Sequence, residues 1–203
     1  MSTARVHGSS TIASDYLRAL DEVLRSLDLE AVERVVQRLR SVRDLGGTVF
    51  VAGNGGSAAT ASHFVNDIGK ATKASGRSHV RVMSLSDNVS WLTALANDEG
   101  YERVFSGQLE NFAGPGDLLL VISASGNSPN LLQAVELGNA RGMTTIGVLG
   151  FDGGALKDMV DECLWLRTQH GAYGLAESAH SVVLDILTTC LVADRVDDLP
   201  TQA

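Results

Sequence analysis

The sequence predicts an α/β fold: a doubly wound, mainly parallel five-stranded sheet flanked by helices, with further helices at the N-terminus. Five short apolar runs, rich in β-branched residues, alternate with segments whose apolar residues recur every three or four positions. Such continuous apolar runs are typical of parallel strands that helices cover on both faces. Two glycine- and serine-rich turns directly follow two of these runs. Ligands of such sheets bind at the carboxyl ends of the strands, so we expect the turns to form a binding site.

The elements follow one another in a regular order. Residues 12–27 and 30–44 carry apolar side chains at helical spacing, which predicts two amphipathic helices before the first strand. We predict strands near residues 47–52, 79–85, 117–122, 143–149 and 162–166. We predict the helices of the sheet near residues 57–72, 88–97, 101–113, 128–141 and 174–195. The chain is expected to form one domain over residues 1–203, with polar ends around an ordered core of about 12–195.

Composition and charge narrow the class of protein. Of the 203 residues, 44% are apolar and 20% are charged, as in soluble globular proteins. We find neither the ~20 apolar residues that a membrane span needs nor a secretory signal, so we expect a cytoplasmic protein without a membrane partner. The net charge of −8 argues against a nucleic-acid partner. A basic stretch at residues 70–81 indicates either a solvated helix end or a cationic approach to an anionic substrate.

The first turn lies within TVFVAGNGGSAATAS, residues 48–62. An apolar run enters the turn and an alanine-rich helix leaves it, which aims backbone N–H groups and a helix N-terminus at one point and stabilises an anion there. The glycines allow a ligand to approach the backbone closely, while two polar side chains add contacts. The turn therefore predicts a phosphate-binding loop with contacts from Asn54, Gly55, Gly56 and Ser57.

The second turn, SASGNS at residues 123–128, follows the apolar run Leu118–Ile122 and again precedes a helix. Its hydroxyl groups, on Ser123, Ser125 and Ser128, can donate to phosphate oxygens, although turn-forming serines are an alternative reading. Neither turn has the G-x-x-x-x-G-K-[ST] or the G-x-G-x-x-G pattern, so we expect no nucleotide cofactor.

Several motifs together resemble one family. They are GNGGSA at 53–58, His63-Phe64, SDN at 86–88, LAND at 95–98, SASGNS at 123–128, the glycines of 150–154 and the C-terminal helix. In this order, over residues 12–193, they resemble the SIS (sugar isomerase) domain and, within it, the sedoheptulose 7-phosphate isomerase (phosphoheptose isomerase) group. The resemblance implies heptose biosynthesis and a homotetramer with active sites between subunits. It implies that the phosphate is held by the second loop, at Ser123, Ala124, Ser125 and Ser128. Asp98 is a candidate substrate contact, with a cap or turn role as its alternative.

Candidate catalytic side chains occur in two helical pairs. Moving a carbonyl between C1 and C2 of a phosphosugar needs proton transfer through an enediol, with a carboxylate or imidazole near those carbons. His63 and Asp67 are spaced i, i+4 on one helix, and Glu177 and His180 are spaced i, i+3 on the last helix. If the two helices meet, four ligand-type side chains converge, which suits zinc or a general acid/base pair.

The chain departs from the family pattern at two of these positions and at Asp185, a further residue of the last helix. The isomerases that it resembles have glutamate in place of Asp67, glutamine in place of Glu177 and a second histidine in place of Asp185. Carried over residue by residue, the implied metal ligands are His63, Asp67, Glu177 and Asp185, for zinc or another divalent ion. The implied catalytic residues are Asp67, Glu177, His180 and Asp185.

We therefore expect a phosphosugar aldose–ketose isomerase that interconverts sedoheptulose 7-phosphate and a heptose 7-phosphate. Two alternatives stay open. One is a non-catalytic adaptor that binds a replication-initiator-type protein, which the departure at Asp185 favours. The other is a phosphosugar-sensing module that binds its ligand without turnover.

Overall fold

The computed structural model describes residues 8–75 and 79–193. The strands are β1 (Thr48–Gly53), β2 (Arg81–Ser84), β3 (Leu118–Ser123), β4 (Thr144–Leu149) and β5 (Glu162–Trp165). The helices are α1 (Ser9–Arg25), α2 (Leu29–Leu45), α3 (Gly56–Ala71), α4 (Val89–Asp98), α5 (Ser106–Phe112), α6 (Pro129–Ala140), α7 (Leu156–Met159) and α8 (Tyr173–Ala193). The predicted alternation of strands and helices is confirmed.

The five strands form one sheet in the order β2-β1-β3-β4-β5, and every pairing is parallel. From β1 the chain goes first to one side, to β2, and then to the other side, to β3, so the sheet is doubly wound as predicted. In the register of β1 and β3, Gly53 lies opposite Ile122. The two glycine- and serine-rich turns therefore leave neighbouring strand ends at the point where the winding reverses, where ligands of such folds bind.

Two apolar cores cover the two faces of the sheet. Along β1, Val49 and Val51 belong to the core beneath α1, α2, α3 and α8, whereas Phe50 and Ala52 belong to the core beneath α4, α5 and α6. Successive side chains of a strand point to opposite faces, so a strand that is buried on both sides must be apolar throughout. This requirement explains the unbroken apolar runs of the sequence.

Helix α2 shows how local sequence sets the ends of an element. Its N-cap, Asp28, accepts hydrogen bonds from the backbone N–H groups of Glu30 and Ala31 at 2.9 and 3.2 Å. Its C-cap, Gly46, adopts φ +75°, a conformation that glycine reaches without steric cost. The helix thereby returns the chain to the sheet just before β1.

Two short helical segments differ from the predicted elements. The segment predicted as one helix over 101–113 begins with a 3₁₀ turn, Tyr101–Arg103, and resumes as α5. Hydrogen bonds from Arg103 N–H to Gly100 O and from Val104 N–H to Tyr101 O span three residues rather than four, so this turn is wound more tightly than an α-helix. Helix α7 was not predicted, because its four residues are too few for a periodic pattern.

Helix α8 corrects the expectation that no segment is apolar enough to span a membrane. It is 21 residues long with a mean hydropathy of 1.4, so by length and composition alone it is able to cross a membrane, contrary to the expectation from the sequence. The helix nevertheless packs against α1, α2 and α3. Its residues Ala179, Val183 and Leu187 lie in the core beneath the sheet. Its place in the core explains the apolar residues of its inner face, and 39% of the apolar window is buried.

Candidate active site

A pocket of about 120 Å³ opens at the carboxyl ends of β1 and β3. This volume equals about four water molecules at liquid density, which suits a phosphate-sized group. Both predicted loops contribute to its walls, together with the first two turns of α8. The lining residues are Asn54, Ser57, Ile122, Ser123, Ala124, Ser125, Ser128, Leu131, Tyr173 and Glu177.

The first loop is held in place through Asn54. Its side-chain amide exchanges two hydrogen bonds of 2.9 Å with the side-chain amide of Asn130, at the start of α6. The Asn54 Oδ1 atom also accepts a hydrogen bond of 3.0 Å from the Tyr101 hydroxyl. Asn130 is only 2% exposed, so this pair links the first loop to the start of α6 from inside the protein. Sequence reasoning missed Asn130, whose only signal was a second asparagine just after the serine-rich turn.

The hydroxyl groups of the second loop are arranged to donate. Ser123 Oγ accepts from Gly126 N–H at 2.9 Å, and Ser125 Oγ accepts from Asn127 N–H at 3.4 Å. Since each serine oxygen is used as an acceptor there, its own O–H is left for a ligand. Ser128 is the N-cap of α6 and makes no side-chain cap hydrogen bond. Three hydroxyl donors therefore face a site without adding a positive charge.

A glycine-to-glycine contact fixes the shape of the second loop. Gly126 has φ +65°, and a Cβ atom there would overlap the carbonyl group of Gly153. The Leu156 N–H donates to Gly126 O at 3.0 Å, and the Ala155 N–H donates to the Asn127 side chain at 2.9 Å. The loop is thus bonded along its length to the segment that follows β4.

The carboxylate of Glu177, a residue of α8, lies beside the start of α3. A Cβ atom at Gly56 would overlap the Glu177 carboxylate, so this carboxylate lies directly against the first residue of the helix. Helix N-termini attract negative charge, which stabilises the carboxylate at this position. A larger residue at position 56 would therefore displace the carboxylate of Glu177.

The predicted metal ligands do not all meet. One ligand atom from each of His63, Asp67 and Asp185 lies within 4.8 Å of the others, and His63 Nε2 is 3.0 Å from Asp67 Oδ2. Glu177 is not part of this group. It precedes Asp185 by eight residues, or about 12 Å along the helix. The donor set of one imidazole and two carboxylates fits a divalent cation that keeps further positions open.

His180 is completely buried. Burial lowers the pKa of its imidazole to about 4, and the Leu149 main chain opposes this shift only partly. Neither ring nitrogen makes a hydrogen bond of normal geometry within the described part of the chain. His180 is therefore a neutral group of the interior, and the pocket is lined by Glu177 rather than by His180.

Two other predicted features lie away from the pocket walls. Asp98, the last residue of α4, is exposed and accepts a hydrogen bond of 2.8 Å from Asn97. The basic stretch at 70–81, of which residues 76–78 lie outside the described part, begins at the far end of α3. This end is about 22 Å from Gly56 along the helix, which favours a solvated helix end.

The fold and these two loops match known proteins closely. The SIS-domain model matches residues 15–150, about two thirds of the chain. The chain belongs to the SIS-domain family. The "Probable phosphoheptose isomerase" of Thermoplasma volcanium is 35% identical over 192 residues, which cover 94% of this chain and 95% of that protein. The phosphoheptose isomerase of Trichlorobacter lovleyi is 43% identical over 130 residues, 64% of this chain and 66% of that protein.

Solved structures place the SIS-domain chain in the same group. The phosphoheptose isomerase GmhA of Neisseria gonorrhoeae superposes with a TM-score of 0.81 at 29% identity, covering 91% of this chain and 96% of that chain. The resemblance to the phosphoheptose isomerase group is therefore confirmed. The matched SIS region ends at residue 150, so all of α8, with Glu177 and Asp185, lies beyond it.

Proposed function

We propose that this chain is a phosphosugar aldose–ketose isomerase that interconverts sedoheptulose 7-phosphate and a heptose 7-phosphate. The observation that carries the proposal is one pocket in which serine hydroxyls, the start of a helix and a carboxylate meet. The relatives named phosphoheptose isomerase support the choice of substrate. We propose further that the whole chain is a single SIS domain and works in the cytoplasm.

The charges in the pocket orient the substrate. A phosphate dianion is stabilised by the hydroxyl donors of Ser123, Ser125 and Ser128 and is repelled by the carboxylate of Glu177. The phosphate therefore binds to the second loop, and the carbonyl end of the sugar points toward Glu177. Binding in this orientation brings C1 and C2 near a group that is able to accept a proton.

Glu177 is our candidate for the proton carrier. Its carboxylate removes a proton from C1 of the ketose while O2 takes up a proton from water, which gives the C1–C2 enediol. The O1 hydroxyl then releases its proton to water as the carbonyl forms at C1, and the same group, now protonated, returns its proton to C2. Asp67 and Asp185 lie in the exposed cluster and His180 lies in the interior, so their predicted proton-transfer roles have less support than that of Glu177.

The cluster of His63, Asp67 and Asp185 is our candidate metal site. These residues would hold zinc or another divalent ion through one nitrogen and two carboxylate oxygens. A cation bound there would balance the charge of the two carboxylates, about 12 Å along α8 from Glu177.

We also propose a homotetramer. Apolar side chains on α1 support it, because Ile12 is 59% exposed and Leu17 is 65% exposed. Light scattering on a sizing column is expected to give about four times the chain mass of 21.4 kDa.

The activity is tested by incubating the purified protein with sedoheptulose 7-phosphate in D₂O and following the aldose by NMR. Deuterium at C2 of the aldose reports proton transfer through an enediol, and parallel samples with EDTA or added zinc test the metal. Glu177→Gln is expected to lower kcat by about 10²- to 10⁴-fold. Glu136→Gln, on the exposed face of α6, is the matched control. Full activity of Glu177→Gln would exclude Glu177 as the proton carrier, and no turnover by the unaltered protein would exclude the isomerase.

A further inference from the structure

Tyr173 stands at the opening of the pocket. It is the first residue of α8, lies one turn before Glu177 and contributes to the pocket lining. The residue is 53% exposed, so one part of it contacts the pocket and the rest contacts solvent. Neither the phosphate grip nor the proton transfer described above uses it.

The ring of Tyr173 is held by a buried neighbour. Its centroid lies 5.0 Å from that of Phe151, with the two rings at 73°, an edge-to-face contact. Phe151 is only 4% exposed, and on another side its ring lies 4.9 Å from the ring of His170. This packing gives an otherwise exposed tyrosine a defined position.

Phe151 is held there in a rare backbone conformation. Its φ is +40°, and it is the only described residue other than glycine with a positive φ. Bulky side chains seldom adopt this region, and such residues persist only where the surroundings fix them. Here the Phe151 N–H donates to Thr168 Oγ1 at 3.1 Å, and the Phe151 carbonyl accepts from Trp165 Nε1 at 3.1 Å.

The size of the pocket indicates which part of a bound sugar phosphate contacts Tyr173. A volume of about 120 Å³ takes the phosphate group, whereas whole ligand sites are usually about 300–1,000 Å³. The carbon chain of a bound sugar phosphate must therefore extend beyond the phosphate volume, along the part of α8 where Tyr173 and Glu177 line the pocket. Tyr173 offers it an aromatic surface and a hydroxyl group that both donates and accepts.

We infer that Tyr173 contacts the sugar chain and sets the preference for its length, and that Phe151 is the positioning residue for Tyr173. This inference rests on the proposed isomerase function and adds the residue that selects the sugar. The ring packs along the carbon chain, and the hydroxyl bonds to a sugar hydroxyl that shorter substrates lack.

The test compares kcat/KM for sedoheptulose 7-phosphate with that for ribulose 5-phosphate, or with its inhibition constant if it is not turned over. Tyr173→Phe is expected to lower the preference for the seven-carbon sugar by about 2- to 10-fold, the worth of one neutral hydrogen bond. Tyr173→Ala is expected to lower it by at least about 10-fold. Phe112→Ala removes a ring of similar exposure, 52%, far from the pocket and is expected to leave the preference unchanged.

A double-mutant cycle tests Phe151. Phe151→Leu is expected to shift the preference in the same direction as Tyr173→Ala, and to add nothing when Tyr173 is already alanine. If Phe151→Leu fails to fold, the variants of the exposed Tyr173 decide the question alone. An unchanged preference in Tyr173→Ala overturns this inference and leaves the isomerase intact. A wild-type protein that converts neither sugar overturns the proposed function itself.

Discussion

Replacing Gly56 by alanine separates the stability of the protein from its activity. The backbone of Gly56 lies in a helix without positive φ, so alanine is compatible with it and changes the free energy of unfolding by no more than about 1 kcal/mol. A Cβ atom there would stand 2.5 Å from Glu177 Oε2, whereas ordinary contacts begin at 3.4 Å. The carboxylate must therefore move by about 1 Å. A displacement of this size at a reacting group lowers turnover by about 100-fold.

The assay measures kcat and the unfolding midpoint of the same samples. We expect kcat of Gly56→Ala to fall by about 100-fold while the midpoint shifts by less than about 4 °C. Gly174→Ala is the matched control, because a Cβ there meets nothing closer than Tyr16 OH at 3.9 Å. The double variant with Glu177→Gln should be no slower than Glu177→Gln alone. Unchanged turnover in Gly56→Ala would refute the reasoning, and so would a loss of turnover that simply follows a loss of folding.

Three further predictions concern the interior, the loop contact and the metal cluster. The pKa of His180 is about 4 in the folded protein, below the ordinary 6.5, so the unfolded chain takes up the proton first as the pH falls. The free energy of unfolding measured in urea is therefore expected to drop by about 2 kcal/mol between pH 7.5 and 5. The variant His180→Leu should lack this drop. An equal drop in that variant would assign the effect to other groups. Asn130→Ala removes both hydrogen bonds to Asn54 and should lower the free energy of unfolding by about 2 kcal/mol and raise KM. The control is Asn111→Ala, because the Asn111 side chain makes one long hydrogen bond of 3.4 Å, and this variant should show neither effect. Equal stability of the two variants would show that the amide pair is not needed. Asp185→Asn should weaken zinc binding by at least about tenfold in calorimetry, and unaltered binding would show that the cluster is not the zinc site.

The sequence was most informative where structure depends on neighbours along the chain. The five strands follow from apolar runs, and both loops follow from a strand, glycines and a helix start within a dozen residues. The pocket lining that joins Asn54 and Ser57 to Ser123, Ser125 and Ser128 could be inferred because adjacent parallel strands end at one edge. These features need no knowledge of distant contacts.

The sequence was least informative about which part of the fold a given side chain contacts. Glu177, His180 and Asp185 lie on one helix, yet they reach the pocket, the interior and the exposed cluster in turn. Their spacing predicts the angular position of each side chain around the axis of α8. It does not predict which neighbouring element each side chain contacts. The bond between Asn54 and Asn130 spans 76 residues and has no local pattern. Such contacts depend on how the layers pack, which periodicity does not describe.

The contact between the second loop and the segment after β4 also constrains how the protein changes under selection. A side chain at Gly126 would meet the Gly153 main chain, and one at Gly154 would meet the Ser125 carbonyl. The backbone of the proposed phosphate-binding loop therefore tolerates almost no change in sequence. A laboratory selection for activity on a new sugar phosphate is expected to yield substitutions around Tyr173. The second loop is expected to stay the same for every phosphorylated substrate, while the opening of the pocket adapts to each carbon chain.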